Sequence, residues 1–269
     1  FAIFGPKRIM KLFPPVVTGP IIILIGLILA PTAVSSASSN WYLAIIAIAI
    51  VVCVNLFGKG MLKLLPILCG IFGAYIIGCI VTLIDPEFLG KSWIDFSTLS
   101  STKVFSIPPF HLPKFDISAI VTFVVVSVAA IVEHIGDIAA IGATCGKNFI
   151  AKPGLTRTLL GDGLGTSIAG LMGGPANTTY SENTGVVALT KVYDPKVMLI
   201  AAIMSILLSL VSIFDAFINT IPWSIIGGIS IVLYGMISAT GVRTIVENKI
   251  DFTNMRNIII MALILVCGL

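Results

Sequence analysis

Apolar runs of about 20 residues recur along this chain and constrain its fold more than any other feature. A helix needs about 20 predominantly apolar residues to cross the hydrocarbon core of a bilayer. The sequence is 57% hydrophobic and only 10% charged, whereas a soluble domain is about 25% charged. Candidate spans lie at residues 15–34, 41–57, 63–84, 117–146, 156–173, 196–217 and 222–240, and a shorter apolar run begins at 257. The pattern predicts an all-α polytopic membrane protein.

The printed sequence begins and ends inside apolar segments. It opens on "FAIFG", with no signal peptide. It stops within "NIIIMALILVCGL", about 13 residues into a run that needs about 20 to span a bilayer. We therefore expect this chain to be an internal portion of a longer protein.

Charge and motif content argue against several classes of protein. The net charge is +4, and the basic residues are scattered between apolar runs, so no nucleic-acid partner is indicated. The sequence contains no CxxC pair and no His/Cys cluster, which argues against a disulfide framework or a metal site. The sequence contains neither an HExxH nor a GxSxG motif, so no enzyme is indicated. Five cysteines in or beside apolar runs are interpreted as packing residues: Cys53, Cys69, Cys79, Cys145 and Cys267.

Basic and neutral loops alternate between the candidate spans. Basic residues flank one set of loops (Lys7, Arg8, Lys11; Lys59, Lys63; Lys147, Lys152, Arg157; Lys191, Lys196; Arg243, Lys249, Arg256). The connections "SSASSN" and "NTIPWS" and the one near 174 carry no Lys or Arg. The positive-inside rule makes the basic loops cytoplasmic. The alternation stays in phase only if the chain crosses the membrane between 174 and 191.

The segment that must make this crossing is polar. It reads "PANTTYSENTGVVALTKV" over residues 175–192. A strand over 175–181 covers about 20 Å and a helix from 182 to 192 about 16 Å, which together match the ~30 Å hydrocarbon core. We expect a broken crossing, with Ser181 as N-cap of a half-helix whose N-terminus lies at mid-membrane. The alternative is a re-entrant or surface loop.

Acidic residues lie where the predicted crossings place little water. Glu133 is near the centre of its span, and Asp137 follows four residues later on the same helical face. Glu182 begins the proposed half-helix. Acids at one depth suit a proton-coupled or cation site, because two close carboxylates in a dry site hold one proton between them. Glu133 could instead make a structural hydrogen bond, and the adjacent His134 could be a packing residue or a ligand contact.

Two further positions remain open from the pattern alone. Ser230 and Tyr234 are four residues apart on one face of the 222–240 span. They could meet a ligand or belong to a small-residue helix interface. Asp162 lies near the cytoplasmic start of its span. It could cap a helix, pair with a nearby base or join a gate.

At these residues the chain resembles the nucleobase–ascorbate transporter family. "SENTGVVALT", residues 181–190, is similar to the family signature, with Glu182, Asn183, Gly185 and Thr190 at the signature positions. "PANTTYSENTG" and "EHIGD" are most similar to the bacterial uracil permease branch, whose members are proton symporters. The resemblance covers essentially all 269 residues.

The resemblance implies fourteen membrane segments in two inverted repeats, divided into a core and a gate domain. This chain would correspond to about the fourth through the start of the thirteenth segment. The expected division is 1–14 as a core-helix end and cytoplasmic connection, 15–84 as gate helices, 85–115 as an extracytoplasmic loop, 116–217 as core helices, and 218–269 as gate helices. It also implies a homodimer through the gate domain and a multi-pass protein of the bacterial inner membrane.

The resemblance further implies roles for individual residues. Glu133 and Glu182 would bind two edges of a nucleobase, and the backbone of Tyr180 and Ser181 would line the site. Ser230 and Tyr234 would meet the substrate from the gate side. Proton coupling would involve Glu133, Asp137 and Glu182, although Asp137 departs from the histidine of the best-known uracil member.

The expected activity is import of uracil with H+ as coupling ion and no resident cofactor. The alternative is a carrier of purines, such as xanthine or urate, or of another nucleobase. A bicyclic substrate would need a roomier pocket beside Tyr234. An anion channel is disfavoured because the ionisable groups expected at mid-membrane are acidic.

Overall fold

The structure, a computed structural model, describes residues 14–85, 93–96, 104–105, 112–179 and 182–268. Within these ranges it contains ten α-helices. They are α1 (Pro15–Ala37), α2 (Trp41–Phe57), α3 (Pro66–Ile84), α4 (Ile117–Cys145), α5 (Leu155–Leu171), α6 (Glu182–Thr190), α7 (Pro195–Ser209), α8 (Ser212–Asn219), α9 (Trp223–Glu247) and α10 (Met255–Gly268). The all-α prediction is confirmed for the described part of the chain.

Three helices differ in extent from the predicted spans. The span predicted over 196–217 is two helices, because the chain breaks at Val211, which forms an antiparallel bridge with Phe105. A 3-10 turn at Gly60–Leu64 precedes α3, which starts at Pro66 because proline fits the first helical turn. Helix α9 continues past residue 240 to Glu247, since "GVRTIVE" contains no helix breaker after its first glycine.

Side chains and one glycine fix several helix ends. Asn40 caps α2 by accepting from the N–H groups of Tyr42 and Leu43 at 3.1 and 3.3 Å. Asp116 caps α4 by accepting from the Ala119 N–H at 3.0 Å. Helix α4 ends at Gly146, whose φ of 64° is the left-handed conformation that glycine adopts without a Cβ clash.

The exposed surface is strongly apolar. Three helices, α1, α3 and α9, are long and apolar enough to cross a membrane by length and composition. Large apolar side chains remain exposed outside the core, including Phe57 at 77% and Leu83 at 79%. In water such a surface would aggregate, whereas in lipid it is the solvated face. These features are those of an integral membrane protein.

The chain forms two compact units. The first contains Phe1–Ile23, Pro109–Tyr193 and Thr240–Leu269, and the second contains Leu24–Pro108 and Asp194–Ala239. The expected core and gate boundaries stay a prediction.

In the second unit, α2, α3 and α9 enclose an apolar cluster that includes Leu43, Tyr75 and Ile225. The Thr220 hydroxyl donates to the Phe217 carbonyl at 2.7 Å, so it accepts from the buried Tyr75 hydroxyl, also at 2.7 Å. This polar contact is satisfied on both sides.

Helices of the second unit approach closely at glycine. A Cβ at Gly228 of α9 would lie 2.5 Å from the Ala44 carbonyl oxygen and 2.9 Å from its Cα. Only hydrogen fits between α9 and α2 at this point, as is typical of helix contacts in membranes.

In the first unit, α4 is the central element among the described residues. It packs against α5, against α6 and against the turn Ile150–Gly154 that precedes α5. Val187 of α6 and Leu155 of α5 are buried there. This packing places the predicted half-helix beside the helix that carries Glu133 and Asp137.

Candidate functional site

Helix α4 carries three functional candidates within little more than one helical turn, and they differ in burial. Glu133 is exposed, whereas His134 and Asp137 are 2% and 8% exposed. The long helix is mostly apolar over its first half, and Glu133, His134 and Asp137 lie in its second half. The burial of Asp137 agrees with the expectation of a carboxylate in a dry environment. Glu133 is exposed in the described structure, and a dry environment for its carboxylate stays a prediction.

Helix α6 begins at Glu182, as the half-helix was predicted to do. It ends at Thr190, two residues before the predicted end, and the Thr190 hydroxyl donates to the Val186 carbonyl at 2.8 Å. Of the other signature residues, Asn183 is exposed and Gly185 is half-buried. The predicted N-cap Ser181, its neighbour Tyr180 and the side chain of Glu182 lie outside the described part of the chain.

The polar segment before α6 is not helical over residues 174–179. The structure assigns no strand there, which differs from the strand predicted over 175–181, because no second segment among the described residues pairs with it. Instead the Thr166 hydroxyl of α5 donates to the Asn177 carbonyl at 2.7 Å and lies 2.6 Å from its side-chain oxygen. Within the described residues, the buried hydroxyls of Thr178 and Thr179 have no hydrogen-bond partner.

Thr166 of α5 is a functional candidate that sequence reasoning missed, and Asp162 of α5 has a partner that sequence reasoning did not identify. Asp162 Oδ2 lies 3.6 Å from Nδ1 of His134, and Thr166 holds Asn177. The two are four residues apart, so they share one face of α5. The i, i+4 spacing of these two polar residues in a glycine-rich helix is the sequence signal that could have indicated a polar face on α5. The contact with His134 favours the alternative in which Asp162 pairs with a nearby base. The alternatives in which Asp162 caps a helix or joins a gate have no support among the described residues.

Ser230 and Tyr234 lie in the second unit, on α9, and both are half-buried. A Cβ at Gly26 of α1 would meet the Tyr234 carbonyl and the Ser238 hydroxyl. The backbone of Tyr234 therefore belongs to a small-residue helix interface, as one alternative expected. A substrate contact of either side chain stays a prediction.

A cavity of about 350 Å³ lies at the C-terminal end of α4. It is lined by small residues of the last helical turns and by Lys147, Asn148 and Phe149. None of the predicted site residues lines it. We therefore place the candidate site by the acids of α4 and the start of α6, and not by this cavity.

The chemistry of the assembled groups is that of a hydrogen-bonding site. The N-terminus of a helix presents backbone N–H groups without intrahelical partners and the positive end of the helix dipole, and α6 presents this end at Glu182. The neighbouring α4 offers carboxylates, which accept hydrogen bonds when ionised. A flat neutral ligand that alternates N–H donors and C=O acceptors fits both sets. Among the described residues, no group of three or more His, Cys, Asp or Glu side chains could hold a metal ion.

Comparisons with known proteins found matches over almost the whole chain. A family model described as "Permease family" matches residues 1–269. The chain is 40% identical over 274 residues to the probable uracil permease of Pasteurella multocida, covering 98% of this chain and 63% of that protein. It is 38% identical over 280 residues to the uracil permease of Bacillus caldolyticus, with 98% and 62% covered.

A third relative carries a broader name. The chain is 39% identical over 267 residues to the putative pyrimidine permease RutG of Escherichia coli, covering 98% of this chain and 59% of that protein. The chain thus spans about three-fifths of the length of the curated relatives it matches.

Proposed function

The chain belongs to the nucleobase–ascorbate transporter family, and on this premise we propose that the whole protein imports uracil together with protons across a bacterial inner membrane. The observation that carries the proposal is the packing of α6, which begins at Glu182, against α4, which bears Glu133 and Asp137. Three relatives named for uracil or pyrimidine transport support the substrate. A homodimer through the gate domain is proposed from the family resemblance alone.

The proposed ligand contacts follow from complementary hydrogen bonding. Uracil presents alternating N–H and C=O groups on a flat ring. Glu133 accepts from one N–H edge and Glu182 from the other, while N–H groups at the start of α6, with the backbone of Tyr180 and Ser181, donate to ring carbonyls. A neutral ligand avoids the desolvation cost that a charged one would meet in this setting.

Ser230 and Tyr234 of α9 are proposed as further substrate contacts. A hydroxyl and an aromatic edge suit one face of a pyrimidine ring. Both side chains are half-buried, so they retain surface for a ligand.

Proton coupling is proposed through the acids of α4 and α6. Asp137 is almost fully buried, and an ionised carboxylate there is costly. A proton taken up by Asp137 or Glu133 lowers the cost of closing the site around uracil. The same reasoning makes Glu182 the third proton-coupling candidate.

We expect purified full-length protein in liposomes to accumulate radiolabelled uracil. Unlabelled uracil in tenfold excess should compete with this uptake, while xanthine, hypoxanthine and ascorbate should not. Competition by other pyrimidines would fit the name of the RutG relative and widen the substrate class. Stronger competition by xanthine than by uracil would identify a purine carrier and overturn the substrate assignment.

Uptake should depend on the proton gradient. We expect a proton uncoupler to reduce uracil accumulation to the equilibrium level, because it dissipates the proton gradient that drives uptake. Replacing external sodium by potassium should leave accumulation unchanged. Accumulation that ignores the uncoupler but needs sodium would contradict proton coupling while leaving the substrate intact.

A further inference from the structure

His134 is the most deeply buried ionisable side chain recorded in the described structure. It is 2% exposed, and neither ring nitrogen has a hydrogen-bond partner among the described residues. A buried polar group without a partner costs about 1–3 kcal/mol. Such a cost at a residue that packs between helices calls for a compensating interaction.

Asp162 supplies that interaction from the adjacent helix. Its Oδ2 lies 3.6 Å from Nδ1 of His134, and the carboxylate is 21% exposed. This distance is too long for a hydrogen bond but short enough for an ion pair. The buried ring therefore faces a carboxylate that still reaches the surface of the first unit.

The other ionisable groups near α4 lie on the turn before α5, on α5, on α6 and on α4 itself. Lys152 of the turn and Arg157 of α5 are exposed, and the side chain of Glu182 lies outside the described residues. On α4 itself, Glu133 is one residue away and Asp137 three. Asp162 lies within ion-pair distance of His134.

We propose that His134 and Asp162 form a second proton-binding site of the first unit, separate from Glu133, Asp137 and Glu182. Before proton binding the neutral imidazole carries its hydrogen on Nε2, and its Nδ1 lone pair faces Asp162. A hydronium ion gives its proton to the partly exposed Asp162 carboxylate and leaves as water, and the carboxyl passes the proton to Nδ1, so that Asp162 is ionised again. The product is an imidazolium–carboxylate pair.

Proton binding changes the packing of α4 against α5. A charge-assisted N–H···O bond is about 2.7–2.9 Å long, so the 3.6 Å gap should close when the proton is bound. His134 adjoins Glu133 on α4, and Asp162 lies one turn before Thr166, which holds Asn177. His134 and Asp162 are thus positioning residues for the proposed uracil site, and this functional part rests on the proposed function.

A direct titration tests the pair without substrate. Full-length protein in nanodiscs is labelled with 15N-histidine, and the His134 signal is identified by its loss in His134→Gln. We expect this signal to report proton binding to the ring, and Asp162→Asn to weaken that binding about tenfold. His111→Gln, which removes the other histidine of the printed sequence, should leave the binding unchanged. A His134 signal that shows no proton binding, or the same binding in Asp162→Asn, would overturn the proposal.

Uracil uptake against pH tests the positioning role. His134→Gln and Asp162→Asn should each flatten the same part of the profile, and the double variant should add nothing, as expected for one coupled unit. Additive losses with an unchanged pH profile would show a merely structural contact and overturn the positioning role. Absence of uracil uptake in wild type would overturn the proposed function, while the titration would still decide the proton site.

Discussion

Uracil binding to the full-length protein should weaken by between about tenfold and 150-fold when Glu133 is replaced by Gln. A hydrogen bond to a charged group contributes about 1.5–3 kcal/mol, and each 1.4 kcal/mol is tenfold in affinity. Glutamine keeps the size of the side chain and one acceptor oxygen but removes the charge. Isothermal titration calorimetry on protein in detergent measures the change directly. Glu182→Gln should cause a loss of similar size, since it is proposed to bind the other ring edge.

The matched control is Glu247→Gln. This carboxylate lies on α9, is exposed, and pairs with Arg243 at 2.6 Å. Exposed pairs contribute about 0–1 kcal/mol to stability, and Glu247 has no role in the proposed site. Its variant should bind uracil as wild type does. Wild-type affinity in both Glu133→Gln and Glu182→Gln would show that the site lies elsewhere.

A methyl group at Gly228 should destabilise the protein by about 1–3 kcal/mol, the usual cost of overpacking. The new Cβ of Gly228→Ala would lie 2.5 Å from the Ala44 carbonyl oxygen, well inside contact distance. The clash is with backbone, so no side chain can rotate away, and α9 must separate from α2. The midpoint of thermal unfolding, followed by tryptophan fluorescence in detergent, should fall.

Gly235→Ala on the same helix is the control, and it is expected to leave stability unchanged or to raise it slightly. A Cβ there meets nothing within 4 Å among the described residues. Alanine in a helix interior is favoured over glycine by about 0.5–1 kcal/mol, so this variant should unfold at the same temperature or slightly higher. Equal destabilisation by both substitutions would mean that helix propensity, and not the close contact, governs Gly228.

Hydropathy and charge alternation predicted the helical elements because lipid restricts the options for a spanning chain. The start of α6 at Glu182 was predicted because the alternation required a crossing, and because a strand over 175–181 followed by a helix from 182 matches the thickness of the hydrocarbon core. The break at Val211 was missed because residues 197–214 contain no charged residue, glycine or proline that would mark the end of a helix. The bridge from Phe105 that coincides with the break is a long-range contact that local pattern does not report.

The site was predicted as a set of residue types but not as a set of contacts. Spacing placed Glu133 and Asp137 on one helix face, yet burial separates them: Asp137 is covered and Glu133 is exposed. The contact of His134 with Asp162 depends on how α4 and α5 pack, which helical periodicity does not fix. The side chains of Tyr180, Ser181 and Glu182 remain predictions from the signature.

The shortness of α6 has an electrical consequence. Its nine residues extend only about 14 Å. With Lys191 at the cytoplasmic surface, as the positive-inside rule expects, Glu182 would lie about halfway through the ~30 Å core. A proton that reaches it from outside would then have crossed about half of the membrane voltage. Since one charge across 100 mV is worth about 2.3 kcal/mol, the membrane potential alone would favour loading of this carboxylate by about 1 kcal/mol per 100 mV, independently of any pH difference.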